Sequence, residues 1–137
     1  MNDIIYMKLL FNKCDILDLY LDNKWTNYTN NKEVLFEGIR NSLYSYGAYD
    51  DNGMIGLIRV VGDSKTIIYI QDILVLRKYQ NQGIGTVLVK HIIEKYKDVR
   101  QIILSTDNTV SQKAFYEKNG FKEYKDANIV AFILNKN

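Results

Sequence analysis

Hydrophobic and polar positions change their spacing several times along the chain, and the changes divide it into elements. Ile4–Leu10 is a short apolar stretch that reads as an edge strand. In CDILDLYLDNKWTNY, Ile16, Leu19 and Tyr20 fall at helical spacing behind Asp15, a residue type that caps helix N-termini. Asn27–Asn31 is rich in turn formers and predicts a break. Val34, Leu35, Gly38, Ile39 and Leu43 then predict a second helix from Lys32 to Ser42, with these residues toward the core. The period next shortens to two. LYSYGAYDDNGMIGLIRVVGD predicts a hairpin that turns at Asp50–Gly53. Residues 65–76 form a long β-branched stretch, apolar at both even and odd positions, as suits a central strand covered on both faces. Helical spacing returns from Gly83 to Lys97, where Ile84, Val87, Leu88, His91, Ile92 and Tyr96 share a face. RQIILST predicts another buried strand, and NTVSQKAFYEKNG a helix ended by Gly120 as a left-handed cap. FKEY and NIVAFIL predict a final pair of strands. This order implies an α+β fold, a mixed, mostly antiparallel twisted sheet with a central βαβ unit and helices on both faces.

Composition narrows the function classes. The 137 residues are enough for one domain, 1–137, with a real core. A net charge of +2, with no run of Lys or Arg, gives no footprint for nucleic acid. No apolar run approaches 18 residues and no charged-then-apolar leader precedes the first strand, so neither membrane span nor signal peptide is expected. The single cysteine, Cys14, cannot form an internal disulfide, which fits a reduced, cytoplasmic compartment; a buried, inert thiol is expected. No His/Cys/Asp cluster has metal-ligand spacing, so no metal is expected.

QNQGIGTVLV places Gly83 and Gly85 between a strand and a helix. The first amides of a helix lack intrahelical acceptors, its dipole favours negative charge there, and glycine lets a ligand approach the backbone. A dinucleotide loop would need glycine where Leu88 stands, and nothing matches a P-loop. On the loop alone, an anion site and a plain tight turn both stand.

The wider context is more specific. ILVLRKYQNQGIGTVLV, followed by TDNTVSQKAFYEKNGF, resembles the GNAT (GCN5-related N-acetyltransferase) superfamily. Gln80, Gly83 and Gly85 occupy its Q/R-x-x-G-x-G/A pattern, Ile73-Leu74-Val75 its apolar strand end, and Phe115–Phe121 its F-Y-E-K-x-G-F segment. The resemblance is strong from about residue 44 to 134. It implies acetyl-CoA, or another short acyl-CoA, as co-substrate. In that reading the amides of Gln82, Gly83, Ile84 and Gly85, with Asn81 and Thr86 nearby, hold the pyrophosphate. The pantetheine arm pairs with the backbone of Ile73 and Val75 where two strands splay apart, and Asn108 caps the next helix or touches the cofactor. The resemblance also implies direct attack by an amine in a ternary complex, with Tyr116 as general acid toward the CoA sulfur. A phenol is protonated at neutral pH and suited to that task.

Asp72 interrupts an otherwise apolar strand, and a buried carboxylate is costly unless it is paired or faces a cleft. Two readings stand. It is a general base, acting directly or through a water, or an anchor for a cationic acceptor; or it is a structural carboxylate bonded to Arg59 or to backbone. Trp25 and Tyr28 lie between the predicted helices and either line or cover the acceptor site or plug the core from above; Tyr69, Gln71 and Arg59 on the central strands are further acceptor-site candidates. His91 is expected to be structural. The expected acceptor is a small-molecule primary amine. A non-catalytic acyl-CoA-binding module and a protein lysine or N-terminal acetyltransferase are the alternatives. A homodimer is left open, because the last strand can pair within its own chain or with a neighbour's.

Overall fold

The computed structural model describes residues 3–136. The chain divides into two compact units, one ending at Ser105 and one beginning at Thr106. The first contains strands β1 (Ile5–Lys8), β2 (Tyr44–Asp50), β3 (Gly53–Gly62), β4 (Ile67–Val75) and β5 (Gln101–Leu104). Its helices are α1 (Lys13–Asp22), α2 (Thr26–Thr29), α3 (Lys32–Arg40) and α4 (Ile84–Lys95). The strands lie side by side in chain order. Pairing is antiparallel through β4, and β4–β5 is parallel because α4 carries the chain back along the sheet. This is the mixed α+β sheet with helices on both faces that the periodicity predicts.

One face is closed by α1 and α3. Ile16, Leu19 and Tyr20 with Leu35, Phe36 and Ile39 pack over Met54, Leu57 and Leu74. Helix α4 covers the other face. There Gly56, next to inward-facing Leu57, is close enough that a Cβ would sit 3.4 Å from both Ile84 Cγ2 and Leu88 Cδ1. Leu88 is wholly buried, and truncating it to alanine costs about 2–5 kcal/mol.

Several local expectations are corrected. The α1 cap is Asn12, whose Oδ1 accepts from the Asp15 amide at 3.0 Å; Asp15 belongs to the first turn. Cys14 is exposed on that turn rather than buried. Val34, Leu43 and Val87 face solvent, and Phe36 and Val89 take the core positions instead. The break at 27–31 contains the one-turn helix α2, which holds Trp25 and Tyr28 against the core.

The second unit contains α5 (Val110–Lys118). Thr109 Oγ1 caps it by accepting from the Gln112 amide at 3.2 Å, and Gly120, at φ +95°, ends it as expected. The predicted strands FKEY and NIVAFIL are absent among the described residues 121–136, which contain only a 3-10 turn at Tyr124–Ala127. A strand exists only as one side of a ladder, and this segment has no ladder partner among the described residues.

Candidate active site

The site begins with one additional residue in β4. Val60 pairs with Ile70 while Arg59 pairs with Asp72, so Gln71 is unmatched on β3. Such a bulge bends its strand and re-aims the residues beyond it. Strand β5 accompanies β4 only as far as the Ile70–Leu104 pair. Among the described residues, 71–75 therefore have β3 on one side and no strand on the other. The Leu76 amide donates to the Ile55 carbonyl at 2.8 Å, toward β3. Alternation then turns the backbone groups of Ile73 and Val75 away from β3, into the opening. The Val75 carbonyl already accepts from Gln80 Nε2 at 3.1 Å and Asn23 Nδ2 at 3.2 Å, which leaves its amide for any ligand.

The opening leads to the glycine loop. Arg77–Tyr79 makes a 3-10 turn, and Asn81 and Gly83 adopt left-handed backbone at φ +63° and +87°. Gly83 is the N-cap of α4, and its carbonyl accepts the first helical bond from Val87 at 3.1 Å. The amides of Ile84, Gly85 and Thr86 thus have no acceptor inside the helix. A Cβ on Gly83 would meet nothing within 4 Å, so the space beside the loop at the helix N-terminus is open. Unpaired donors, a helix N-terminus and an unobstructed approach fit a diphosphate. Side chains brace the loop from behind. Asp22 Oδ2 accepts from the Arg77 amide at 2.7 Å, Gln82 Nε2 donates to the Lys78 carbonyl at 3.3 Å, and Tyr79 donates to Asp50. That last bond is the main reason the Asp50 carboxyl lies below its ordinary range. Gln80 and Gln82 therefore serve the loop's shape with their side chains, and Arg77 and Lys78 are exposed.

Behind the bulge lies a buried polar cluster. Asp72 is 3% exposed. Its Oδ2 pairs with Arg59 Nε at 2.6 Å and accepts from the Tyr20 hydroxyl at 2.9 Å, and its Oδ1 accepts from the Tyr28 hydroxyl at 2.9 Å. Arg59 also donates to Ser42 Oγ at 3.1 Å and the Gly38 carbonyl at 3.3 Å. Burial is the largest single influence on Arg59 and lowers its pKa, but the Asp72 charge, the Asp72 hydrogen bond and smaller contributions from Tyr20 and Tyr28 together outweigh it, and the net shift is upward. Burial, followed by the Asp72 charge, raises Tyr20 well above the ordinary phenol range, and burial raises Tyr28 less. Gln71 Nε2 donates to the Tyr28 oxygen at 3.0 Å. Trp25 stacks on Tyr28 at 6.1 Å between centroids and meets Tyr20 edge-on at 5.8 Å.

The structure thus brings together Asp72, Gln71, Tyr28 and Trp25, and the bond from Asp72 to Arg59 is one of the two arrangements the sequence allowed. Tyr69 is not among them; it lies in the part of β4 paired with both Val61 and Ile103. Sequence reasoning missed the Tyr20 hydroxyl, because Tyr20 sits at a core spacing, and Asn23, because polar residues at helix ends are commonplace. His91 has the structural surroundings expected of it. Its Nε2 lies 2.9 Å from the Tyr44 hydroxyl, its ring stacks on Tyr46 at 3.6 Å, and burial, then Lys95, lowers its pKa.

Tyr116 and Asn108 belong to the second unit. Tyr116 is 7% exposed, meets Phe115 and Phe121 edge-on at 5.0 and 5.8 Å, and is pushed up to about 12 by burial. Capping of α5 falls to Thr109 and not to Asn108. Among the described residues no group of His, Cys, Asp or Glu is arranged for a metal ion, and no helix is long and apolar enough to cross a membrane.

Comparisons with known proteins agree with this geometry. A GNAT-family structure from Streptococcus pneumoniae is 33% identical, with each chain covered in full and a TM-score of 0.85. A GNAT-family acetyltransferase from Elizabethkingia anophelis with acetyl-CoA bound is 28% identical over 87% of this chain and 76% of its own, with a TM-score of 0.67. An aminoglycoside acetyltransferase from an uncultured soil metagenomic sample, in complex with sisomicin, shares the fold at 18% identity, covering 98% of this chain and 97% of its own, with a TM-score of 0.73. No curated protein matches the sequence. The family profile described as acetyltransferase (GNAT) domain matches residues 41–123, from just ahead of β2, across the opening and the glycine loop, to the end of the F-Y-E-K-N-G-F segment. The chain belongs to the GNAT acetyltransferases.

Proposed function

We propose that this acetyltransferase moves an acetyl group from acetyl-CoA to a primary amine of a small molecule, by direct attack within a ternary complex. One observation carries the reading: β4 parts from β5 after Ile70, and the opening leads to the Gly83 loop. The amides of residues 81–86 would hold the diphosphate, and those of Ile73 and Val75 would bond the pantetheine arm as an added strand does. The co-substrate supplies an activated thioester. The Elizabethkingia relative with acetyl-CoA bound supports this choice, and the fold relative bound to sisomicin is in keeping with a small amine acceptor.

Tyr116 is the proposed proton donor to the leaving sulfur. Burial keeps its phenol protonated across the whole working range, as a donor requires. Asp72 takes the anchoring role rather than that of a base. Three donors already occupy its carboxylate, and a carboxylate has about four acceptor positions. It therefore acts through Tyr28. By holding the Tyr28 proton, while the Tyr28 oxygen accepts from Gln71 Nε2 at 3.0 Å and Arg59 Nη2 at 3.4 Å, it fixes the Tyr28 ring as one wall of the acceptor site, with Trp25 as the flanking wall. Tyr69, which precedes the bulge, makes no contact with this cluster that the reading needs.

The test is calorimetry with coenzyme A, together with thiol release from acetyl-CoA over a panel of small amines and peptides. Binding in the micromolar range and turnover with a small amine are expected. Tyr116→Phe should keep coenzyme A affinity and lose at least tenfold in kcat. Unchanged kcat in that variant would remove the acid role, coenzyme A binding without turnover on any amine would favour a binding module, and preference for a peptide amine would overturn the acceptor class.

A further inference from the structure

We infer that Asn23, at the end of α1, is a positioning residue for acetyl transfer: acting through the Val75 carbonyl, it aims the Val75 amide into the opening, where the acyl-CoA arm takes it. The inference rests on the proposed co-substrate site and adds a residue to it. Asn23 is the C-cap of α1 and is half-buried. Its Nδ2 donates to the Leu19 carbonyl at 3.0 Å, in the last turn of its own helix, and to the Val75 carbonyl at 3.2 Å on β4. Its Oδ1 accepts from Gln80 Nε2 at 3.4 Å, and the same Nε2 donates to the Val75 carbonyl at 3.1 Å. Both hydrogens of each carboxamide are therefore used. The two side chains bond each other and converge on one backbone oxygen.

That oxygen sets the direction of the amide. A peptide unit is planar and trans, so its C=O and N–H point opposite ways. The unit joining Val75 to Leu76 is held at both ends, by the Ile55 carbonyl on β3 at 2.8 Å and by the two carboxamides. In extended backbone a residue's own N–H and C=O point to the same side of the strand, so a fixed carbonyl fixes the Val75 amide. Val75 is the last residue of β4, and β5 accompanies β4 only to Ile70. A strand end with one free side frays, and α1 supplies the hold that β5 does not. The support is firm, since Ile16, Leu19 and Tyr20 are wholly buried. Tyr20, one turn before Asn23, bonds Asp72, and Asp22 accepts from the Arg77 amide at 2.7 Å. The end of one helix thus holds β4 at residues 72 and 75 and the following turn at 77. Asn23 lies ahead of residues 41–123, so this hold comes from outside the family profile. All of it lies within the first unit.

Asn23→Leu removes the donor, keeps the volume and adds no charge. In the full chain it should weaken coenzyme A binding by calorimetry roughly tenfold. KM for acetyl-CoA should rise by a similar factor while kcat at saturation stays within about twofold of wild type. Amide shifts at saturating coenzyme A separate the arm from the loop. Those of residues 81–86 should move as in the wild type, and that of Val75 should lose most of its movement. Gln80→Met removes the other donor to the same carbonyl and should give the same pattern, so the test survives if the helix variant fails to fold. Loss of movement at both Val75 and residues 81–86 would make Asn23 a brace for the loop. Unchanged affinity with full movement at Val75 in both variants would leave it a helix cap. Either result overturns the inference while the co-substrate site stands. A wild type that binds no coenzyme A would overturn the site and the inference together, and the wild-type titration alone tells that failure apart.

Discussion

Asp72 offers the sharpest energetic prediction. Its pair with Arg59 is 2.6 Å long, and the two side chains are only 2% and 7% exposed. Removing one partner of such a pair strands a buried charge, which costs about 3–5 kcal/mol, whereas removing both costs much less. Asp72→Leu should therefore lower stability by about 3–5 kcal/mol, or roughly 10–20 °C in Tm for a chain of this length. Arg59→Met should cost a similar amount. The double variant should cost clearly less than the two single costs added together, since neither charge remains. The loss will not vanish, because the Tyr20 and Tyr28 hydroxyls still lose their acceptor at about 1–3 kcal/mol each. Urea unfolding of the four proteins completes the cycle. Additive costs, or a single variant within about 1 kcal/mol of wild type, would refute the argument that the pair holds the cluster together.

Three further outcomes rest on named groups. Gly83→Val places a β-branched residue at φ +87° in space that its own chain leaves open, so stability should fall by about 1–2 kcal/mol while coenzyme A affinity falls at least tenfold by calorimetry; an unchanged affinity would contradict the loop's role. The Asp63 carboxylate accepts from the Thr66 hydroxyl and from the amides of Lys65, Thr66 and Ile67, which lowers its pKa. A depressed carboxylate adds stability above its unfolded value, about 3.9, and loses it only as pH falls through the lower folded value. The Thr66 amide resonance should accordingly show no inflection between pH 5 and 3, and a midpoint near 4 would contradict the turn geometry. Tyr116, raised to about 12, keeps its proton through pH 8–10.5, so any decline in kcat over that interval should persist in the residual activity of Tyr116→Phe; a decline that disappears with the phenol would assign it to Tyr116.

Much of the fold was legible because burial imposes a period. The even and odd apolar positions of β4 announced a strand covered on both faces, and Ile84, Leu88 and Ile92 announced the face of α4. The glycine loop was legible because only particular backbone conformations join a strand to a helix that tightly. The bulge at Gln71 was not, since it arises from β3–β4 register, and no property of Gln71 itself signals an extra residue. The environment of Asp72 was half legible. Its cost when buried pointed to a partner, and Arg59 was named, but the Tyr20 hydroxyl came from a helix position that core packing explains without it. The α1 cap does carry a readable signal, because Asn12 stands three residues before Asp15 and accepts its amide, but Asp15 is an equally good capping type and competes with it. NIVAFIL reads as a strand from composition, yet a strand forms only against a ladder partner, and the described residues supply none.

The central claim is that the backbone around Gly83 and the parted end of β4 together receive coenzyme A. Amide chemical shifts monitored during titration with coenzyme A test it most directly. The account predicts saturable changes concentrated at Ile73, Val75 and residues 81–86, with Ile68 and Ile70, in the closed half of β4, little affected. Binding that leaves those amides unmoved, or no binding at millimolar coenzyme A, would contradict it.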